Sequence, residues 1–132
     1  MTFLMSEPGL NSFGGYRKAR ELFDLVVKDT AGLASRTDTA RLVSQQIASA
    51  DSVCANVEEG YGRGSRKEYA QFLGYARGSA WETRGRYERL QHWLPEKTVQ
   101  ERIALCGEII AILTRTILSL RNAPPNRRAS DE

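Results

Sequence analysis

Histidine, cysteine and proline are scarce in this 132-residue chain, and each scarcity removes a class of function. One histidine, His92, cannot build a His-rich metal site or supply a Ser-His-Asp array. Two cysteines, Cys54 and Cys106, are too few for a disulfide framework and lack the CxxC spacing of zinc or redox sites, so each reads as a small apolar core residue. The four prolines stand outside the periodic segments, and the runs between them carry no β-branched alternation from which a sheet could be built. No apolar run approaches the roughly 18 residues needed to span a bilayer. The start, Met1-Thr2-Phe3-Leu4-Met5-Ser6, has neither the basic flank nor the apolar stretch of a secretion signal. The expectation is a cytoplasmic protein with no membrane partner, no metal and no cofactor.

What is present suits one globular domain: 41% hydrophobic and 27% charged residues, evenly spread. Lysine and arginine number 19 against 16 acids, a net charge of +3, too small by itself to imply nucleic acid. Its distribution says more. Between residues 61 and 92, Arg63, Arg66, Lys67, Arg77, Arg84, Arg86 and Arg89 face only Glu68, Glu82 and Glu88, whereas acids outnumber bases over residues 1–60.

Hydrophobic spacing predicts four amphipathic helices. Residues 1–14 have turn composition and read as a flexible arm. A first helix is marked by Tyr16, Ala19, Phe23, Val26, Val27, Thr30 and Leu33. A second, capped by Thr37 or Asp38, follows with Leu42 or Val43, Ile47, Ala50, Val53, Cys54 and Val57. Three glycines in Gly60-Tyr61-Gly62-Arg63-Gly64 are expected to break the helical run. Ser65-Arg66-Lys67-Glu68 is then a capping box opening a third helix, with Tyr69, Phe72, Leu73, Ala76, Ala80, Thr83, Tyr87, Leu90 and Leu94 on its core face. Gly74, Gly78 and Gly85 inside it each cost roughly 1 kcal/mol against alanine, which points to a close backbone approach or a kink. Pro95 precedes a fourth helix with Val99, Ile103, Cys106, Ile110, Leu113, Ile117 and Leu120. Short connections favour antiparallel neighbours, hence an all-α, up-down-up-down four-helix bundle over residues 15–121, followed by a disordered tail over 122–132.

The fourth helix carries a second apolar row, Leu105, Ile109, Ile112 and Thr116. Two readings are open. The row packs between subunits as an oligomer interface, or two neighbours of the same chain grip the helix.

The glycine-rich turn with Arg63, Arg66 and Lys67 lacks the strand and register of a nucleotide-binding loop, but it suits general phosphate contact. Arg66, Arg77 and Arg84 fall within about 20° of one another on a helix, making a stripe fit for a sugar-phosphate backbone or for a solvated salt-bridge face. Glu59, at an unfavourable helix C-terminus, needs a compensating partner such as an arginine. Glu58 and Glu59 read as structural, since no second group for acid-base chemistry is identifiable. Trp81, off the core face, and Trp93 suit protein contacts.

The run Ser52-Val53-Cys54-Ala55-Asn56-Val57-Glu58-Glu59-Gly60-Tyr61-Gly62-Arg63-Gly64-Ser65 continues through Lys67-Glu68, Phe72-Leu73, Ala76, Gly78-Ser79 and Glu82. Here the chain resembles the bacterial four-helix-bundle family encoded in intervening sequences of large-subunit ribosomal RNA genes, related to accessory proteins of diversity-generating retroelements. The resemblance spans about residues 15–121. It implies a homo-oligomeric ring of five without enzymatic activity. The retroelement relatives bind a reverse transcriptase and nucleic acid through basic surfaces. Members commonly carry arginines on the second helix where this chain reads Gln45-Gln46-Ile47-Ala48-Ser49-Ala50-Asp51. The remaining basic candidates are Arg63, Arg66, Lys67, Arg77 and Arg84, with Arg127 and Arg128 in the tail. The functional expectation is an accessory module for RNA or DNA, with a reverse transcriptase as a further partner. The alternative is a structural or protein-interaction ring with no nucleic-acid ligand.

Overall fold

The computed structural model describes residues 8–123, and all regular structure in them is helical. Five α-helices, four of them long, follow in order: α1 (Pro8–Asn11), α2 (Gly14–Thr30), α3 (Ala40–Arg63), α4 (Arg66–Arg89) and α5 (Glu96–Asn122). One-turn 3₁₀ segments, Ala31–Leu33 and Leu90–His92, close α2 and α4.

The long helices pack in a cycle, with α3 and α5 each against both α2 and α4. Paired positions run in opposite directions along neighbours. Between α3 and α4, Gln46 bonds Thr83 while Ser52 bonds Ser79; between α2 and α3, Tyr16 reaches Glu58; between α2 and α5, Asp29 reaches Arg102. Leu22 and Val26 of α2, Val53 and Val57 of α3, Leu73, Ala80 and Tyr87 of α4, and Ile109 and Leu113 of α5 are wholly buried.

Cys54 and Cys106 belong to this core, and burial pushes both thiols up to about 12, where neither acts as a thiolate near neutral pH. A buried carboxylate ties three helices: Asp29 Oδ2 accepts from the Tyr87 hydroxyl at 2.7 Å and Arg102 Nε at 2.8 Å, and Oδ1 from Arg102 Nη2 at 3.1 Å.

Several boundaries differ from the sequence expectation. Part of the expected arm, residues 1–14, is the short helix α1, because Leu10 buries itself in the core and Gly9 lies against the Tyr61 hydroxyl. Residues 1–7 of that arm and the tail from 124 onward, with Arg127 and Arg128, lie outside the described residues. Neither Thr37 nor Asp38 caps α3. Thr39 occupies the cap position without a side-chain cap bond, donating instead to the Leu33 carbonyl at 2.7 Å, while Asp38 pairs with Arg36.

The glycine run does not break α3 at residue 60. The helix continues to Arg63 and ends at Gly64, whose φ of 85° is the left-handed conformation glycine adopts at helix ends. Gly60 is instead a contact. A Cβ there would stand 2.8 Å from Phe72 Cβ and 3.2 Å from the Tyr69 carbonyl oxygen, so α3 and α4 approach closely because residue 60 has no side chain. At Gly62 a Cβ would meet nothing within 4 Å. Gly60→Ala should therefore cost about 1–3 kcal/mol by overpacking, and Gly62→Ala should stabilise by about 0.4–1 kcal/mol. Thermal unfolding of the two variants should move in opposite directions. Of the close approach or kink expected at Gly74 and Gly78, the close approach is not made among the described residues, where a Cβ at either has open space.

Helix α5 bears on the membrane expectation. Over 27 residues it contains an 18-residue window of mean hydropathy 1.8, so by length and composition alone it could cross a membrane. Glu108 and Arg115 interrupt its apolar residues, which hid the window from a search for unbroken runs. Here the helix contributes Leu105, Cys106, Ile109, Leu113 and Ile117 to the core.

Candidate nucleic-acid interface

The start of α4 is fixed by the serine half of the expected capping box, while the Glu68 carboxylate accepts from side chains instead of from an N-terminal amide. Ser65 Oγ accepts from the Glu68 amide at 3.1 Å and lies 3.4 Å from Glu68 Oε1, to which it donates. The glutamate takes the serine hydroxyl and an Arg63 nitrogen at 3.5 Å. Ser65→Ala should cost about 0.5–2 kcal/mol in urea unfolding. An unchanged midpoint would show that the cap bond contributes nothing net.

Antiparallel packing brings this end of α4 beside the end of α5. Arg66 and Lys67 from α4 and Arg121 from α5 line one cavity of about 530 Å³ with Ala70, Gln71, Leu120 and Ala123. A neighbouring cavity of about 390 Å³ shares Arg66 and Leu120 and is walled by Gly60, Tyr61, Gly64, Ser65 and Tyr69. Tyr61 and Tyr69 meet edge to face, with centroids 6.2 Å apart. Cations and ring faces around connected concavities are the equipment of a surface that grips phosphates and stacks bases. Arg121 escaped the sequence reading because 54 residues separate it from Lys67. Only antiparallel packing unites them.

The other candidates are distributed differently. Arg77 Nη1 donates to Thr114 Oγ1 of α5 at 3.2 Å, and Arg84 lies 5.3 Å over the Trp81 ring and 3.9 Å from the Glu88 carboxylate. Both are half-buried on the edge of α4 facing α5, continuing the line from Arg66. Arg63 stands apart from the cavities. Its Nε is 2.9 Å from Glu59, Nη1 is 3.5 Å from Glu68, and the group covers the Phe72 ring at 4.9 Å. Two carboxylates and a ring thus occupy Arg63, and Glu59 finds the arginine its position calls for. Glu58 accepts from the Tyr16 hydroxyl at 2.6 Å, joining α2 to α3.

The second row of α5 is not a free face. Leu105 and Ile109 are buried in the core of their own chain. Ile112 reaches α2, where its Cγ2 would stand 3.2 Å from a Cβ at Gly15, and half-buried Thr116 donates to the Ile112 carbonyl at 2.8 Å. Two neighbours of the same chain grip this helix, because α2 covers what α4 leaves open. The exposed positions of α5 include Ala104, Glu108, Ala111, Arg115 and Leu118, the last 54% exposed.

The long motif that resembled a family acquires a packing explanation. Ser52, Asn56 and Gly60 recur every four residues along the side of α3 that meets α4. Ser79 donates to Ser52 Oγ at 2.8 Å, Asn56 Nδ2 donates to the Ser52 carbonyl at 2.9 Å, and Gly60 admits Phe72. No group of three or more His, Cys, Asp or Glu suited to a metal exists among the described residues.

An all-helical domain whose signature motif welds α3 to α4, and in which Arg66, Lys67 and Arg121 meet where α4 lies beside α5, defines a helical protein with one basic edge. The chain belongs to the 23S rRNA-intervening sequence protein family, which it matches over residues 12–115. No curated protein matches it.

Proposed function

We propose that this chain is a non-enzymatic, cytoplasmic four-helix bundle that assembles as a homo-oligomeric ring and serves as an accessory module for RNA. Convergence of Arg66, Lys67 and Arg121 around one cavity carries the reading, with Arg77 and Arg84 extending a basic edge along α4. Such contacts carry charge and no base code, so affinity falls steeply with salt and depends little on sequence. The family's description, 23S rRNA-intervening sequence protein, is compatible with a nucleic-acid-related role and names no ligand. A reverse transcriptase, the partner of the retroelement relatives, is the further protein partner in this reading.

Self-association uses the outward faces of α4 and α5. Trp81, 53% exposed, and Leu118 are large apolar side chains on those faces, and Gly74, Gly78 and Gly107 leave room for a close neighbour. A ring repeats each weak basic edge and so raises avidity without any new contact. Two measurements test the proposal. Sedimentation at micromolar concentration should show one species well above 14.8 kDa, and a monomer overturns the ring. Retention of mixed-sequence RNA across a salt titration should weaken progressively. No binding near physiological salt leaves the protein-interaction ring as the function.

A further inference from the structure

Helices α3 and α4 bury a seam of polar side chains between them. Gln46 Nε2 donates to the Thr83 carbonyl at 2.9 Å, Ser49 and Thr83 share a hydroxyl contact at 2.8 Å, and Thr83 Oγ1 donates to the Ser79 carbonyl at 2.9 Å. One end of this seam is a charge. Arg86 is only 9% exposed, and its Nη1 donates to Gln46 Oε1 at 2.9 Å, Ser49 Oγ at 3.0 Å and the Gln45 carbonyl at 3.3 Å.

All three acceptors are neutral. The Nε atom is buried and has no hydrogen-bond partner among the described residues. The contrast with Arg102 is instructive, since that guanidinium sits bidentate on Asp29. A buried cation is ordinarily paired, because removing it from water costs several kcal/mol that neutral acceptors only partly return. Burial depresses the Arg86 pKa, with Arg89 acting in the same direction and Glu82 opposing them. The surroundings therefore add positive charge as well as negative.

A guanidinium presents Nε–H and the outer Nη2–H in parallel, a fork that matches two oxygens of one oxyanion. In Arg86 the seam occupies Nη1, and the fork edge is the part it leaves unused. We propose that this edge of Arg86, where α4 meets α3 beside Gln45, binds a phosphate-class oxyanion supplied from outside the chain. A phosphate-class oxyanion, whether inorganic phosphate or a phosphodiester, offers the Arg86 fork two unesterified oxygens on one phosphorus. The site lies on the α3 side of α4, opposite the edge formed by Arg66, Arg77 and Arg84, and does not depend on the function proposed for that edge. Free inorganic phosphate and the phosphodiester of a nucleic acid share the required chemistry.

The test is a titration of the full-length protein, labelled with ¹⁵N-arginine, at constant ionic strength. Inorganic phosphate should move the Arg86 Nε–H resonance saturably. At a hundred times the Kd it should raise the folded-to-unfolded ratio about a hundredfold, an increase read from the unfolding midpoint. The Arg86→Met variant keeps the volume and discards the charge, and should lose that stabilisation. If this variant fails to fold, the wild-type resonance decides alone. A short mixed-sequence RNA that moves the same resonance identifies a phosphodiester as the source; movement with inorganic phosphate only identifies free phosphate. A resonance unmoved by either overturns the proposal, as does equal stabilisation of Arg86→Met. So does an Nε–H shift in Glu82→Gln without added anion, which would mean that the chain's own Glu82 closes the fork.

Discussion

The Asp29→Ala chain is expected to lose about 3–5 kcal/mol of folding stability, a large share of the roughly 5–15 kcal/mol that holds a domain folded. Asp29 is 94% buried at its side chain, and its two oxygens accept three hydrogen bonds from residues on two other helices. Alanine removes every acceptor at once. The Arg102 guanidinium, 15% exposed, would keep its charge with Glu101 at 3.7 Å as its remaining ion-pair partner, and the wholly buried Tyr87 hydroxyl would lose its acceptor. Burial and the Asp29 charge both push the Tyr87 pKa upward, so its hydroxyl stays protonated and remains a donor at any ordinary pH. Both orphaned donors would then pay their desolvation without return. Urea unfolding should show a lower midpoint with an unchanged slope. Asp29→Asn, which retains an acceptor oxygen, should lose less. A shift under 1 kcal/mol for the alanine variant would mean that solvent readily replaces the carboxylate and that hydrophobic packing alone joins α2, α4 and α5.

Much of this arrangement could be read along the chain wherever one helix determines its own pattern. Along α4 and into the 3₁₀ turn that closes it, the helical period picks out Leu73, Ala76, Ala80, Thr83, Tyr87 and Leu90, all buried, because a single stripe faces a single core. The Ser65–Glu68 cap was legible for the same local reason. Features made by two helices were not. Arg86 looks like any surface arginine until Gln46 and Ser49 of α3 are set opposite it. Gly60 looks like a helix breaker until Phe72 is found against its Cα. The breadth of the apolar face on α5 showed that two partners were needed, but Leu105 and Ile109 carry no mark that says whether the second belongs to the same chain. The candidate site divides along the same line. Arg66 and Lys67 could be found from the turn that precedes them, whereas Arg121 joins them only through packing, and the carboxylates around Arg63 become visible only when Glu59 and Glu68 are seen to converge on it.

That division gives the RNA reading a sharp test, because Arg63 and Arg121 exchange their expected importance once the fold is known. The triple change Arg66→Gln, Lys67→Gln and Arg121→Gln removes three cations from the rim of one cavity. If each contacts a phosphate of single-stranded RNA, the slope of log affinity against log salt should become shallower by about 2, at about 0.7 per contact. Over a fourfold range of salt, a difference of that size changes relative affinity by about an order of magnitude, and wild type and variant should converge as salt rises. Arg63→Gln should leave the slope within experimental error, since Glu59 and Glu68 already offset that charge and its guanidinium lies over Phe72. Helicity and sedimentation are the controls: Lys67 and Arg121 are exposed cations that contribute little to folding, and half-buried Arg66 is the position of the triple variant to check. The opposite ranking, with Arg63→Gln weakening binding and the triple variant unaffected, would move the RNA path onto the α3/α4 turn and leave the α4/α5 cavity without a role in binding.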